Sequence, residues 1–244
     1  MSESNNKLLQ EIERLEEQAK FNSNNLVNIL KLANAYKEIG MIAHSYTAYL
    51  KVIEIEPSNI DAYLGITDLY YNQQDYNGAK YYLEEVLKAS NDNIEVLVKL
   101  FRVYLYLKDF KKAKKILDKV LLVECKKYQS LAVSGVYYFE TKNYKKAIEN
   151  FKSALEYNPN DSDTYCWLGA AYYENKEYRL AIEAFENALK YSQNPALYWN
   201  IFKCYWDLND RQSAINMYKK VRNLSVKFAD DMYRCLSDKS FEVF

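Results

Sequence analysis

The sequence predicts an all-α fold in which one antiparallel helix pair is built six times. Three observations predict it. Tyr36, Tyr70, Tyr104, Tyr138 and Tyr172 stand 34 residues apart, and Tyr205 follows after 33; a fixed period of this length marks a repeat array. Only five glycines and three prolines occur in 244 residues, while strong helix formers such as Leu, Lys, Glu and Ala are plentiful. Within one period, apolar residues recur twice at helical spacing. Tyr165, Leu168, Gly169 and Tyr172 fall at i, i+3, i+4 and i+7, and after a turn over 174–177 a second stripe runs through Ala181, Phe185, Ala188 and Leu189.

The elements follow in order. Residues 1–25 hold a tail and a helix whose single apolar stripe is Leu8, Ile12, Leu15 and Ala19, the pattern of a helix that caps a stack with one face. Six blocks then run over 26–59, 60–93, 94–127, 128–161, 162–194 and 195–228. Asp75, Asp109, Asn143 and Asp210 precede the second helix in four of them and can accept from the free N–H groups of its first turn. Met41 and Glu177 hold that place in the first and fifth blocks and should cap less well. Pro57 and Pro159 follow second helices that they cannot continue, and Pro195 opens the sixth block. Where the two helices cross, the second supplies Ser45, Ala79, Ala113, Ala147, Ala181 and Ala214. The first supplies Ala33, Thr67, Phe101, Gly135, Gly169 and Phe202. Phe101 and Phe202 break the small-residue rule and should spread or tilt their pairs. Residues 229–244 hold a closing helix, with Met232, Tyr233, Cys235 and Leu236, and a tail.

The run Tyr165, Leu168, Gly169, Tyr172, Ala181, Phe185, Ala188 resembles a tetratricopeptide repeat. So does the run Leu131, Gly135, Tyr138, Ala147, Phe151, Ala154, Pro159. The other four blocks match more loosely, and the resemblance covers about 26–228. It implies a right-handed superhelical solenoid, with first helices on the concave face and second helices outside. It also implies a non-catalytic scaffold or adaptor that binds a peptide or helix of another protein. One use of the family, a lysine–asparagine clamp on a chaperone's terminal carboxylate, is not matched. Leu30, Leu64, Val98, Ala132, Cys166 and Trp199 stand where its lysine would be, and Asn34 alone matches the asparagine.

The groove is expected on the side of each first helix opposite its tyrosine. In the first three blocks that side is polar and of mixed charge, with Leu30, Asn34, Lys37, Asp61, Asp68, Tyr71, Asn72, Glu95, Lys99, Arg102 and Tyr106. In the last three it is aromatic, with Val133, Val136, Phe139, Trp167, Ala170, Tyr173, Trp199, Lys203 and Trp206, and it includes all three tryptophans of the chain. Aromatic anchors in a concave site concentrate binding energy. The expected partner-binding residues are therefore Val136, Phe139, Trp167, Tyr173, Trp199 and Trp206 for affinity, with Lys99, Arg102 and Lys203 for orientation. The competing reading puts Trp167 and Trp199 in the inter-repeat core, one helical step away. An exposed aromatic face would also permit self-association.

Composition narrows the remaining classes. Lys plus Arg number 33 and Asp plus Glu 33, so no net charge favours nucleic acid or an anionic membrane. Eight lysines crowd residues 108–127, but most fall on a second helix and read as a solvated outer face, which leaves an RNA-associated protein as a rival reading. His44 is the single histidine, no glycine-rich phosphate loop occurs, and no Ser or Cys has a histidine partner nearby in sequence, so no catalytic constellation is expected. Cys125, Cys166, Cys204 and Cys235 are widely spaced and read as ordinary thiols; neither metal nor cofactor is expected. No signal-like or membrane-spanning run is read, which predicts a cytoplasmic protein. The rival is an envelope or pilus assembly factor whose signal has been removed.

Overall fold

The computed structural model describes residues 3–21, 24–89, 93–122, 127–222 and 224–237. Fourteen α-helices, and no strand, are found among the described residues. Cys125, Lys126 and the side chain of Ala19 lie outside that description. The chain divides into two compact units, Met1–Leu122 and Val123–Phe244.

The first unit contains α1 (Glu3–Phe21), α2 (Leu26–Glu38), α3 (Ile42–Ile55), α4 (Ile60–Asn72), α5 (Tyr76–Ala89), α6 (Ile94–Tyr106) and α7 (Phe110–Leu122). Ile12 and Leu15 of α1 are buried with Leu32, Ala35 and Tyr36 of α2. The second unit contains α8 (Lys127–Glu140), α9 (Tyr144–Tyr157), α10 (Ser162–Glu174), α11 (Tyr178–Leu189), α12 (Pro195–Asp207), α13 (Arg211–Val221) and α14 (Val226–Ser237). Ala229 and Met232 of α14 join the core of α12 and α13. Helices α2 to α13 thus form six consecutive pairs.

The same punctuation closes every first helix. The carbonyls of Tyr36, Tyr70, Tyr104, Tyr138, Tyr172 and Tyr205 each accept from the N–H five residues on, at 2.8–2.9 Å. The residue just before that donor has a left-handed backbone: Gly40, Gln74, Lys108, Lys142, Lys176 and Asn209, with φ between 56° and 78°. Its own N–H reaches the carbonyl three residues back. This is a Schellman end, which satisfies carbonyls that the helix leaves without partners. The donor to the tyrosine carbonyl is also the cap of the next helix. Asp75, Asp109, Asn143 and Asp210 accept from the N–H three residues on, at 2.9–3.3 Å. Met41 and Glu177 make no side-chain cap, as expected. Four first helices, α2, α4, α6 and α12, are capped too, by Asn25, Asn59, Asn93 and Asn194, whereas Asp161 makes no side-chain cap on α10.

At the crossings Ser45, Ala79, Ala113, Ala147, Ala181 and Ala214 are fully buried, and the Ser45 hydroxyl donates to the Ala33 carbonyl at 2.8 Å. In the fourth and fifth pairs the first helix supplies a glycine and the second a phenylalanine. A Cβ on Gly169 would fall 2.7 Å from the Phe185 ring, and one on Gly135 would collide with Phe151. In the third pair the ring has changed sides: Phe101 lies on the first helix and Leu117 on the second, both buried. The exceptions to the small-residue rule are therefore core rings.

Candidate functional site

In the second unit the expected groove residues ride on α8, α10 and α12, the first helices of three successive pairs. Two layers form there. Trp167 meets Phe139 edge-on, with ring centroids 5.3 Å apart, and stacks over the buried Phe151 at 6.5 Å. Trp199 and Trp206 stack on either end of the buried Phe202, at 5.5 and 5.7 Å. All three tryptophans are half-buried. Each rests on a core ring and keeps part of its surface open to solvent. The two sequence readings, groove and core, thus each describe one side of the same ring.

Polar groups frame these rings. The Lys203 ammonium lies 4.9 Å from the centre of the Tyr173 ring, and the Tyr173 hydroxyl donates to Asp207 at 2.6 Å. Burial first, then the Asp207 carboxylate, pushes the Tyr173 phenol well above its usual range. The Arg211 guanidinium covers Trp206 at 3.8 Å and donates to its carbonyl at 3.1 Å. Val136, Phe139, Tyr173 and Lys203 are half-buried. Val133, expected on the groove face, is buried at 7% exposure; its place on α8 turns it into the core, so it is withdrawn from the face.

Lys99 and Arg102 belong to the first unit. Lys99 reaches Asp68 at 2.5 Å and Lys37 reaches the same carboxylate at 3.5 Å, so one acid ties α2, α4 and α6 together. Leu30, Asn34, Lys37, Asp61, Asp68 and Glu95 line a cavity of about 370 Å³. Arg102 is exposed. Lys99 is therefore engaged in holding its own repeats, a role the sequence did not suggest.

Several framing residues were missed by sequence reading: Tyr144, Tyr178, Arg211 and Asp207. A signal existed. Tyr76, Phe110, Tyr144 and Tyr178 form a second series with 34-residue spacing, and Arg211 follows after 33. Each opens a second helix, and three of them pack on the ring or ring partner that ends the first: Tyr76 on Tyr71, Tyr144 on Phe139, Tyr178 on Tyr173.

The chemistry of the site is that of contact. Burial raises the Cys166 thiol and pushes Cys204 up to about 12, so both carry their protons at neutral pH and lack thiolate character. Among the described residues no group of three or more His, Cys, Asp or Glu could hold a metal ion, and no helix is long and apolar enough to cross a membrane.

Profiles of the tetratricopeptide repeat match residues 29–59, 72–132 and 162–195, and a TPR repeat profile matches 135–176. The chain belongs to the tetratricopeptide repeat family. Repeats of this family mediate protein–protein interaction and typically serve as non-catalytic scaffolds. Solved tetratricopeptide structures agree with the fold. A tetratricopeptide repeat protein from Parabacteroides merdae is 16% identical, with a TM-score of 0.77 over 93% of this chain and 92% of that one. PilF of Pseudomonas aeruginosa is 17% identical, with a TM-score of 0.65 over 86% and 97%. The Cut9–Hcn1 hetero-tetramer of the APC/C contains a chain 19% identical, with a TM-score of 0.75 over 93% of this chain and 45% of that one. At these identities the likeness is one of fold. No curated protein matches the chain.

Proposed function

We propose that this tetratricopeptide protein is a non-catalytic adaptor that docks a peptide or helix of a partner protein on the concave side of its first helices. The main contact surface is the aromatic row Phe139, Trp167, Tyr173, Trp199 and Trp206 of the second unit, with Val136 beside it and Lys203 orienting the occupant. The single observation that carries this reading is the half-burial of three tryptophans on rings that are themselves core. Such rings are held rigid at little entropic cost and still offer apolar surface, which is how binding hot spots are built. In the first unit exposed Arg102 is proposed as a separate charged contact, joined by the open side of Lys99, which stays paired with Asp68.

The test uses short random peptides displayed on phage and selected on the immobilised full chain. Recovered peptides are then measured by fluorescence anisotropy against the wild type and the Trp199→Ala/Trp206→Ala double variant. Loss of roughly 2 kcal/mol or more is expected for the double variant. Equal affinity at equal helicity would refute the assignment.

A further inference from the structure

A seat for a cation, formed by a ring and a carboxylate, occurs twice in the second unit, and the chain fills it once. In the filled case Lys203 of α12 lies over Tyr173 of α10, and Asp207, one turn further along α12, accepts from the Tyr173 hydroxyl. The same three positions one repeat earlier are Phe139 on α8 and Ala170 and Glu174 on α10. Ring and carboxylate recur. The lysine is replaced by an alanine, which leaves the ring without a cation from that position.

The second seat is more heavily built than the first. Phe139 is flanked by Tyr144 and Trp167, both edge-on, at 5.7 and 5.3 Å. The Tyr144 hydroxyl donates to Glu174 at 3.4 Å. After burial, the charges of Glu174 and Glu140 hold that hydroxyl above its usual range. Burial also holds the Glu140 carboxyl above its usual range. Among the described residues neither Glu140 nor Glu174 forms an ion pair. Lys142 and Lys176, on the turns that follow, are exposed and left-handed in backbone. Each glutamate is the last residue of its helix, at the negative end of the helix dipole, where a carboxylate is disfavoured and a cation welcome. The corresponding residues of α4 and α6 are Asn72 and Tyr106, so the acidic pair belongs to this part of the chain. A nucleic acid would bring phosphates against these carboxylates, whereas an ammonium or guanidinium would satisfy ring and acid together.

We infer that Phe139, Glu140 and Glu174 form a specificity seat for a lysine or arginine side chain carried by the docked partner segment. This rests on the docking role proposed above and names the partner's chemistry: an apolar segment with a basic residue at the position that reaches α8 and α10. Lys203 on Tyr173 is the intramolecular precedent for the contact.

The peptides selected on the full chain test it. Every tight binder is expected to carry a Lys or Arg whose replacement by Met weakens binding about tenfold. Ala170→Lys, which supplies the missing lysine from within, should weaken basic binders by a similar factor and abolish the difference between each peptide and its Met version. Glu174→Gln should weaken them in the same direction and serves if Ala170→Lys disturbs folding, as read by far-ultraviolet circular dichroism. Binders without a basic residue, or an undiminished Lys-to-Met effect in both variants, would overturn the seat. If the double tryptophan variant still loses binding in that case, the docking role stands alone. If no peptide is recovered, or the tryptophan variant binds normally, both readings fail.

Discussion

Tyr36 and Tyr49 show how a single buried phenol reports on its surroundings. Burial, then the Glu16 carboxylate that accepts its hydrogen bond, pushes the Tyr36 phenol up to about 12. Burial, then the charge of Asp68, does the same to Tyr49, whose hydroxyl donates to Asn34 at 2.5 Å. A phenol whose folded value exceeds its unfolded value of about 10 binds its proton more tightly in the native state. Its contribution to stability is complete below about pH 10 and is lost as pH rises through about 12. Denaturant midpoints measured across that window should fall less steeply for Tyr36→Phe/Tyr49→Phe than for the wild type, and absorbance at 295 nm should show both phenols ionising late. Parallel curves would show that these two hydroxyls are solvated. The spacing of Tyr36 was legible in the sequence; its partner Glu16 was not, because the contact joins residues on different helices. The same limit explains Trp167, Trp199 and Trp206. Their helices and faces were readable, but their half-burial is set by Phe151 and Phe202 beneath them. Val133 fell on the wrong side of a boundary that one helical step decides.

Element boundaries were the most legible part of the fold, and the reason is local chemistry. Asp75, Asp109, Asn143 and Asp210 cap as their side chains dictate. Met41 and Glu177 leave α3 and α11 without a side-chain cap. The left-handed positions were not legible, because five of the six are Gln, Lys or Asn and only Gly40 advertises its backbone. A non-glycine residue in that conformation costs about 1–2 kcal/mol. It is tolerated here because two backbone hydrogen bonds hold each turn. Lys142→Gly should therefore relieve strain and stabilise, by somewhat less than that cost, since glycine also loses more freedom on folding. Met41→Asp should add a cap to α3 worth about 1 kcal/mol. Thermal melting of the single and double variants would check both, and the two gains should add, because the sites are far apart in sequence and lie in separate units. A lower melting temperature for Lys142→Gly would mean that the lysine side chain has a structural role that its exposure does not suggest.

For the whole molecule the repeat period foretold six helix pairs, but it carried no sign of the division into Met1–Leu122 and Val123–Phe244. That division follows from which helices pack on one another, and a uniform period is silent on it. In a repeat array, stability is roughly a sum over repeats and nearest-neighbour interfaces, so damage to one core should stay in its own unit. Phe151 and Leu83 are both fully buried, one in each unit. Phe151→Ala should cost about 3–5 kcal/mol and Leu83→Ala about 2–5 kcal/mol where each acts. All three tryptophans lie in the second unit, so their emission reports that unit alone. Phe151→Ala should lower the denaturant midpoint seen by tryptophan emission while amides of α4 and α6 keep their hydrogen-exchange protection. Leu83→Ala should strip that protection and leave the tryptophan transition in place. If both substitutions moved the tryptophan midpoint equally, the chain would be unfolding as one cooperative body, and the aromatic surface of α8, α10 and α12 would share its stability with the polar first unit.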